Sequence, residues 1–207
     1  MKQNHDLTAA AAREALRITP KVSLGTFPTP IQKLENISWL LGTNVYIKRD
    51  DLTGLGLGGN KVRKLEFLLA DAQKQGAKVV FTTGGAQSNH AMLTAAAAAK
   101  LGMYPILILK KRGVTAQVGN QLLEHLMDTE VRFMDTDSYA DIYEEMDRVG
   151  QFLGVPYYRI PCGGSNALGS LGYVACAREI RDQGGRFEHI VCAEGSGGTT
   201  AGLALGA

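Results

Sequence analysis

KVVFTTGGAQSNHAMLTAAAAAKLGMYPILILK, residues 78–110, is the stretch that decides the fold. It opens with KVVFT (78–82), a short β-branched run of the kind found in buried strands, and closes with YPILILK (104–110), a second such run. Between them lie a glycine-containing loop, 83–88, and an alanine-rich helical stretch, 89–101, closed by Gly102, where a helix-ending glycine belongs. Strand, loop, helix and strand within this length imply a crossover connection. The two strands are therefore parallel and the connection right-handed.

The pattern extends in both directions. Downstream, 115–127 reads as helix, 130–134 as strand, 138–152 as helix ending before Gly154, and 157–161 as strand. A helix over 169–183 is stopped by Gly184 and Gly185, 189–193 reads as the last strand, and 199–207 begins one more helix. Upstream, NVYIKR (44–49) reads as a strand, 50–60 as a loop, and 61–75 as a helix with Leu65, Leu68, Leu69 and Ala72 on one face. Such alternation predicts an α/β, doubly wound architecture of mostly parallel sheets, whose ligands bind beyond the carboxyl ends of the strands.

Composition narrows the function classes. The chain has 207 residues, 45% hydrophobic and 20% charged, with 22 Lys and Arg against 20 Asp and Glu, a net charge of +2. That profile excludes a disordered chain, and the near-balance of charge, without a basic cluster, argues against a nucleic-acid partner. The longest apolar stretches, such as 91–99 and 104–109, fall far short of the roughly 18–20 residues of a membrane span. Arg13 and Glu14 interrupt the N-terminal alanine run, so no signal peptide is expected. Cys162, Cys176 and Cys192 are widely spaced and odd in number, which reads as reduced thiols in a cytoplasmic protein rather than a metal site or disulfide framework.

Four glycine-rich loops, each leading into a helix, carry the chemistry. The first holds a literal GxGxxG at Gly54, Gly56 and Gly59. A dinucleotide fold needs an acid at the end of the next strand; here KVVFT runs into Thr83, Gly84 and Gly85, so a nicotinamide or flavin reading is disfavoured. The same loop ends at Lys61, which opens a helix although the dipole there disfavours a cation. Lys61 and Lys64 share one helix face; one amine is suited to a Schiff base and the other to a phosphate, although surface lysines would show the same spacing. The second loop ends in Ser88, Asn89 and His90: Ser88 is a good N-cap, and the helix start it caps can also receive an anion. In the third, Gly195, Ser196, Gly197, Gly198, Thr199 and Thr200 supply backbone and hydroxyl donors for one phosphate but lack the lysine of a triphosphate loop. The fourth, 162–169, is glycine-rich with no assignable chemistry. An amine, a phosphate cup and an anion-binding serine loop together match pyridoxal 5′-phosphate with an amino-acid substrate.

The motifs KRDD (48–51), GGNKVRKLEF (58–67), GGAQSNH (84–90), GGSNALGSLGY (163–173) and GSGGTTAGLALG (195–206) resemble the D-cysteine desulfhydrase and 1-aminocyclopropane-1-carboxylate deaminase family. This is a branch of the tryptophan-synthase-β-like, fold type II pyridoxal-phosphate enzymes. The resemblance implies that Lys61 is the Schiff-base lysine, and that Lys64 with Gly195, Ser196, Gly197, Gly198 and Thr199 forms the phosphate site. It also implies that Asn89 bonds the ring hydroxyl and that Ser88, with Asn89 and His90, meets the substrate, Ser88 serving as carboxylate contact or acid–base group. The deaminases typically carry Gln after that asparagine, so His90 favours the desulfhydrase side; Ala86 and residues 91–93 depart from the family pattern and bear on the substrate.

The implied reaction is β-elimination from a small amino acid, D-cysteine giving pyruvate, ammonia and sulfide. The alternatives are 1-aminocyclopropane-1-carboxylate deamination, L-cysteate sulfo-lysis, or a cofactor-binding protein without catalysis. The resemblance further implies homodimers and a division into residues 1–63 of a large domain, a small α/β domain at 64–171, and a returning large-domain piece at 172–207. Family chains continue further, so the large domain is expected to be incomplete, exposing apolar surface and leaving little activity in these 207 residues alone.

Overall fold

The structure, a computed structural model, describes residues 2–113 and 115–207. A four-stranded parallel sheet is built from β3 (Val79–Thr82), β4 (Tyr104–Lys110), β5 (Glu130–Met134) and β6 (Tyr157–Arg159), in the order β5-β4-β3-β6. Val79 pairs with Tyr104 on one side of β3 and with Tyr157 on the other, and Ile106 pairs with Glu130 across the next gap. The alternation of β3 and β4 sorts the core into two layers. Val79, Phe81, Ile106 and Ile108 face Ile142, Met146 and Val149 of α6 (Tyr139–Leu153). Leu107 and Leu109 face the small residues Ala91 and Ala95 of α4 (Asn89–Lys100), and Val80 packs with Leu65, Leu68 and Leu69 of α3 (Lys61–Lys74).

The chain winds from β3 through β4 to β5 in one direction. Helix α6 then carries it back to β6 on the far side of β3. The loops that leave β3 and β6 thus diverge from adjacent strand ends, the point in an open α/β sheet where a crevice forms. Against this unit pack α7 (Ala167–Asp182) and α8 (Gly198–Gly206). The remaining elements are α1 (Lys2–Ile18), β1 (Ile31–Lys33), α2 (Glu35–Leu41), β2 (Tyr46–Lys48) and α5 (Asn120–Leu126).

Three expectations change. The strand read at 44–49 is shorter and pairs antiparallel with β1, Ile31 opposite Lys48, outside the parallel sheet. The helix read from residue 115 begins only at Asn120, because Gly119 sits at a φ of 59° and the Gln87 side chain caps the start: Asn120 N–H donates to Gln87 Oε1 at 3.0 Å. The segment 189–193 is no strand; among the described residues no neighbour pairs with it, and Val191 is 94% exposed. Trp39 on α2, 85% exposed, and Leu40 are likewise uncovered. Among the described residues no helix is long and apolar enough to cross a membrane.

Candidate active site

The loop before α3 is shaped by two glycines. Gly58 has a φ of 74°, and a Cβ there would collide with the Asp51 carbonyl oxygen at 2.0 Å. Gly59 has a φ of 126°, and its Cβ would lie 2.7 Å from Asn89 Nδ2. Only glycine lets the loop close on the start of α4, where Asn89 Nδ2 donates to the Gly58 carbonyl at 3.2 Å. Lys61 is thereby delivered to the crevice. Its Nζ is half-buried and donates to Asn60 Oδ1 at 2.8 Å. Asn60 Nδ2 in turn donates to Thr199 Oγ1 at 3.0 Å, tying the lysine segment to α8. Burial pulls the Lys61 amine below its ordinary range, with Cys162 opposing. A desolvated amine next to a second cation is the environment that makes a lysine nucleophilic.

Lys64 lies one turn further on and is 1% exposed. Its Nζ donates to the Gly163 carbonyl and to Ser165 Oγ, both at 3.1 Å, and Ser165 Oγ lies 2.7 Å from Ser196 Oγ. A Cβ on Gly198, the first residue of α8, would fall 2.5 Å from Ser165 Oγ and 2.9 Å from Lys64 Nζ. The amine therefore sits against the N-terminus of α8, whose first-turn N–H groups have no partner within the helix. Burial and the neighbouring Lys61 charge pull the Lys64 amine down to about 8, so it is mostly cationic at neutral pH. A cation, hydroxyls and free helix N–H groups converging on a glycine-lined cradle fit a phosphate monoester, and the adjacent Lys61 amine fits an aldehyde.

The structure thus brings together Lys61, Lys64, Asn89, Ser196, Gly197, Gly198 and Thr199. Gly195 stands clear of this cluster, with open space where a Cβ would be. Ser88 caps α4, its half-buried Oγ accepting from Ala91 N–H at 3.2 Å, which leaves its hydroxyl proton unused by the cap. His90 is turned inward: it is 3% exposed, and its Nε2 lies 2.8 Å from Thr82 Oγ1. Two contributors escaped the sequence reading. Ser165 belongs to the fourth loop, where GGS ahead of the N-cap Asn166 was the available signal; Asn60 precedes Lys61 and shows its use only through contact with Thr199.

The base of the site is a buried ion network. Arg63, 4% exposed, donates from Nε to Asp50 Oδ2 at 2.9 Å and from Nη1 to Glu179 Oε2 at 2.9 Å. Tyr173 donates to Asp50 Oδ2 at 2.6 Å, and Thr29 Oγ1 to Asp50 Oδ1 at 2.9 Å. Burial opposes ionisation of Glu179, but hydrogen bonds from Arg63 and Lys48 outweigh it and hold the carboxyl at about 2. This network fixes α3 against α7 and the 29–50 segment, and so sets where Lys61 points.

A parallel sheet with its crevice at a topological switch point, a desolvated lysine and a helix N-terminus suited to an anion have the chemistry that a fold type II cofactor site needs. The chain belongs to the pyridoxal-phosphate dependent enzyme family, whose model matches residues 22–207. It is 51% identical over 195 residues to a putative 1-aminocyclopropane-1-carboxylate deaminase of Pyrococcus horikoshii, covering 90% of this chain and 58% of that protein. It is 47% identical over 197 residues to the D-cysteine desulfhydrase of Yersinia enterocolitica, covering 90% and 59%. The crystal structure of an ACC deaminase homologue superposes with a TM-score of 0.86 at 46% identity, over 94% of this chain and 61% of that one. Maize serine racemase shares the fold alone, with a TM-score of 0.73 at 20% identity, over 96% and 56%. The chain thus spans about three-fifths of the length of these relatives.

Proposed function

We propose that this protein is a pyridoxal-phosphate-dependent enzyme that eliminates the β-substituent of a small amino acid, converting D-cysteine to pyruvate, ammonia and sulfide. The observation that carries the reading is the Lys61 amine, half-buried at the head of α3 and linked through Asn60 to Thr199 beside the phosphate cradle. Lys61 Nζ would bond the cofactor's aldehyde carbon. Lys64, Ser196, Thr199 and the N-terminus of α8 would hold its phosphate, and Asn89 would meet its ring hydroxyl. When bound, the cofactor supplies the electron sink for the bonds broken at the substrate.

The chain's own residues then divide the work. Ser88 and Asn89 at the start of α4 offer hydroxyl, amide and backbone donors to the substrate carboxylate. Lys61 Nζ would accept the Cα proton of the bound substrate; burial lowers its pKa and so favours the neutral form a base requires. Loss of the β-sulfur as sulfide and uptake of water would then give pyruvate and ammonia.

The 51% identity to a protein named as a putative 1-aminocyclopropane-1-carboxylate deaminase favours a second reading, ring opening and deamination of that amino acid at the same site. His90 in place of the Gln typical of deaminases supports the desulfhydrase reading. Product assays decide: sulfide and pyruvate from D-cysteine support the first, and 2-oxobutyrate from 1-aminocyclopropane-1-carboxylate supports the second. Sulfite from L-cysteate would point to a sulfo-lyase. A bound cofactor whose absorbance spectrum none of the three amino acids perturbs would contradict both readings.

A further inference from the structure

His90 follows Ser88 and Asn89 directly, yet its side chain faces away from the crevice into the sheet. Thr82 Oγ1 has one proton, which it donates to the Ile160 carbonyl at 3.0 Å. It therefore accepts from His90 Nε2–H at 2.8 Å. One imidazole thus joins α4 to the last residue of β3 and, through Thr82, to the chain leaving β6. The ring also lies close to the next turn: a Cβ added at Gly164 would come to 3.4 Å from His90 Cε1 and 3.5 Å from Lys64 Cβ. Gly164 N–H donates to the Pro161 carbonyl at 2.8 Å, and the preceding carbonyl, of Gly163, is the one that receives Lys64 Nζ. Burial, then the charges of Lys61 and Lys64, pull the imidazole down to about 3, so the ring is neutral at any physiological pH. Substrate carboxylates are not its partners: the ring is inside and uncharged, with Nε2 bonded to Thr82 and Nδ1 buried without a hydrogen-bond partner among the described residues.

We propose that His90 is a positioning residue for the anion site. Its ring ties the ends of β3 and β6 together and holds the Gly163 carbonyl, and with it the Lys64 amine, beside the N-terminus of α8. The inference rests on the reading of that cradle as the cofactor's phosphate site, and it departs from the substrate-contact role implied by the motif. A clamp of this kind acts on the phosphate half of the ligand and leaves the bond to Lys61 alone.

The test compares His90→Leu, which removes the hydrogen bond at similar bulk, with His90→Gln, whose side-chain amide can still donate to Thr82. Each is titrated with pyridoxal phosphate and with pyridoxal, which lacks the phosphate. His90→Leu is expected to weaken pyridoxal phosphate about tenfold, the size of one buried hydrogen bond, and to leave pyridoxal unchanged; His90→Gln restores most of the loss. Without any ligand, hydrogen exchange at the Gly164 amide should quicken about tenfold in His90→Leu while α6 amides keep wild-type rates. If His90→Leu does not fold, Thr82→Val removes the same bond and should give the same pattern. Unchanged Gly164 exchange, or equal losses for the two ligands, overturns the clamp. If the wild type binds neither ligand, the cofactor reading fails by itself, and the exchange measurement alone decides whether His90 holds the loop.

Discussion

Glu124→Gln is expected to remove a pH dependence that the wild-type fold carries. Glu124 is 0% exposed on α5, and among the described residues neither carboxylate oxygen has a hydrogen-bond partner. Burial raises its carboxyl from 4.5 to about 7. In the unfolded chain a glutamate ionises near its ordinary value of about 4.3. Between those two values the folded state holds a proton that the unfolded state has lost, so stability falls as pH rises, by about 1.4 kcal/mol per pH unit. The stabilisation is full below about 4.5 and gone above about 7, a loss of roughly 3 kcal/mol. The substituted amide stays neutral throughout. The stability difference between the variant and the wild type should therefore grow by roughly 3 kcal/mol from pH 4.5 to 8, with every other titrating group cancelling in the subtraction. Urea unfolding followed by circular dichroism at pH 4.5, 6, 7 and 8 measures it. A difference that does not change with pH would refute the reasoning. The consequence reaches the site, because Gln121 on the same helix donates from Nε2 to the Ala86 carbonyl at 2.8 Å, two residues before Ser88.

Two further outcomes follow from the same geometry. The ratio of pyridoxal phosphate affinity to pyridoxal affinity should fall from pH 7 to 9 as the Lys64 amine, held at about 8, loses its proton; Lys64→Met should flatten that ratio, and an unchanged slope in titrations at fixed ionic strength would contradict the assignment. Arg63→Met leaves Asp50 and Glu179 facing each other without their guanidinium, at a cost of about 3–5 kcal/mol. Calorimetry should show a Tm lower by about 10 °C, and a fall of less than about 2 °C would mean that the network is not what holds α3 to α7.

Much of the parallel sheet was legible because β3 and β4 are apolar runs and β5 sets Val131 and Phe133 in alternation with Glu130 and Arg132. The reading of 104–110 and 130–134 agrees with β4 and β5 residue for residue. What escaped depends on partners distant in sequence. Residue 115 does not start a helix because Gln87, some thirty positions earlier, caps Asn120 instead. Residues 189–193 carry a strand's composition, but composition supplies no neighbour to pair with. At the site, Lys61, Lys64 and the glycine loops announce themselves as motifs. Asn60 and Ser165 do not, since their value lies in contacts to Thr199 and Lys64 across separations of 139 and 101 residues. The GxGxxG, disfavoured as a nucleotide motif for want of an acid, has a different purpose: Gly59 is bare so that Asn89 can approach it. His90 shows the reverse error, a residue read as facing substrate from its place in QSNH and found bonded to Thr82 in the core. Sequence adjacency to Ser88 and Asn89 could not reveal that the first turn of α4 points its next side chain toward the sheet.

The most direct measurement treats the 207-residue chain with pyridoxal phosphate, reduces the mixture with borohydride, and maps the pyridoxyl group by mass spectrometry of the peptides. The label is expected on Lys61, in a single stoichiometric modification that Lys61→Ala abolishes. A label on Lys64, or one spread over exposed lysines with Lys61 unmodified, would contradict the assignment of Lys61 as the reactive amine.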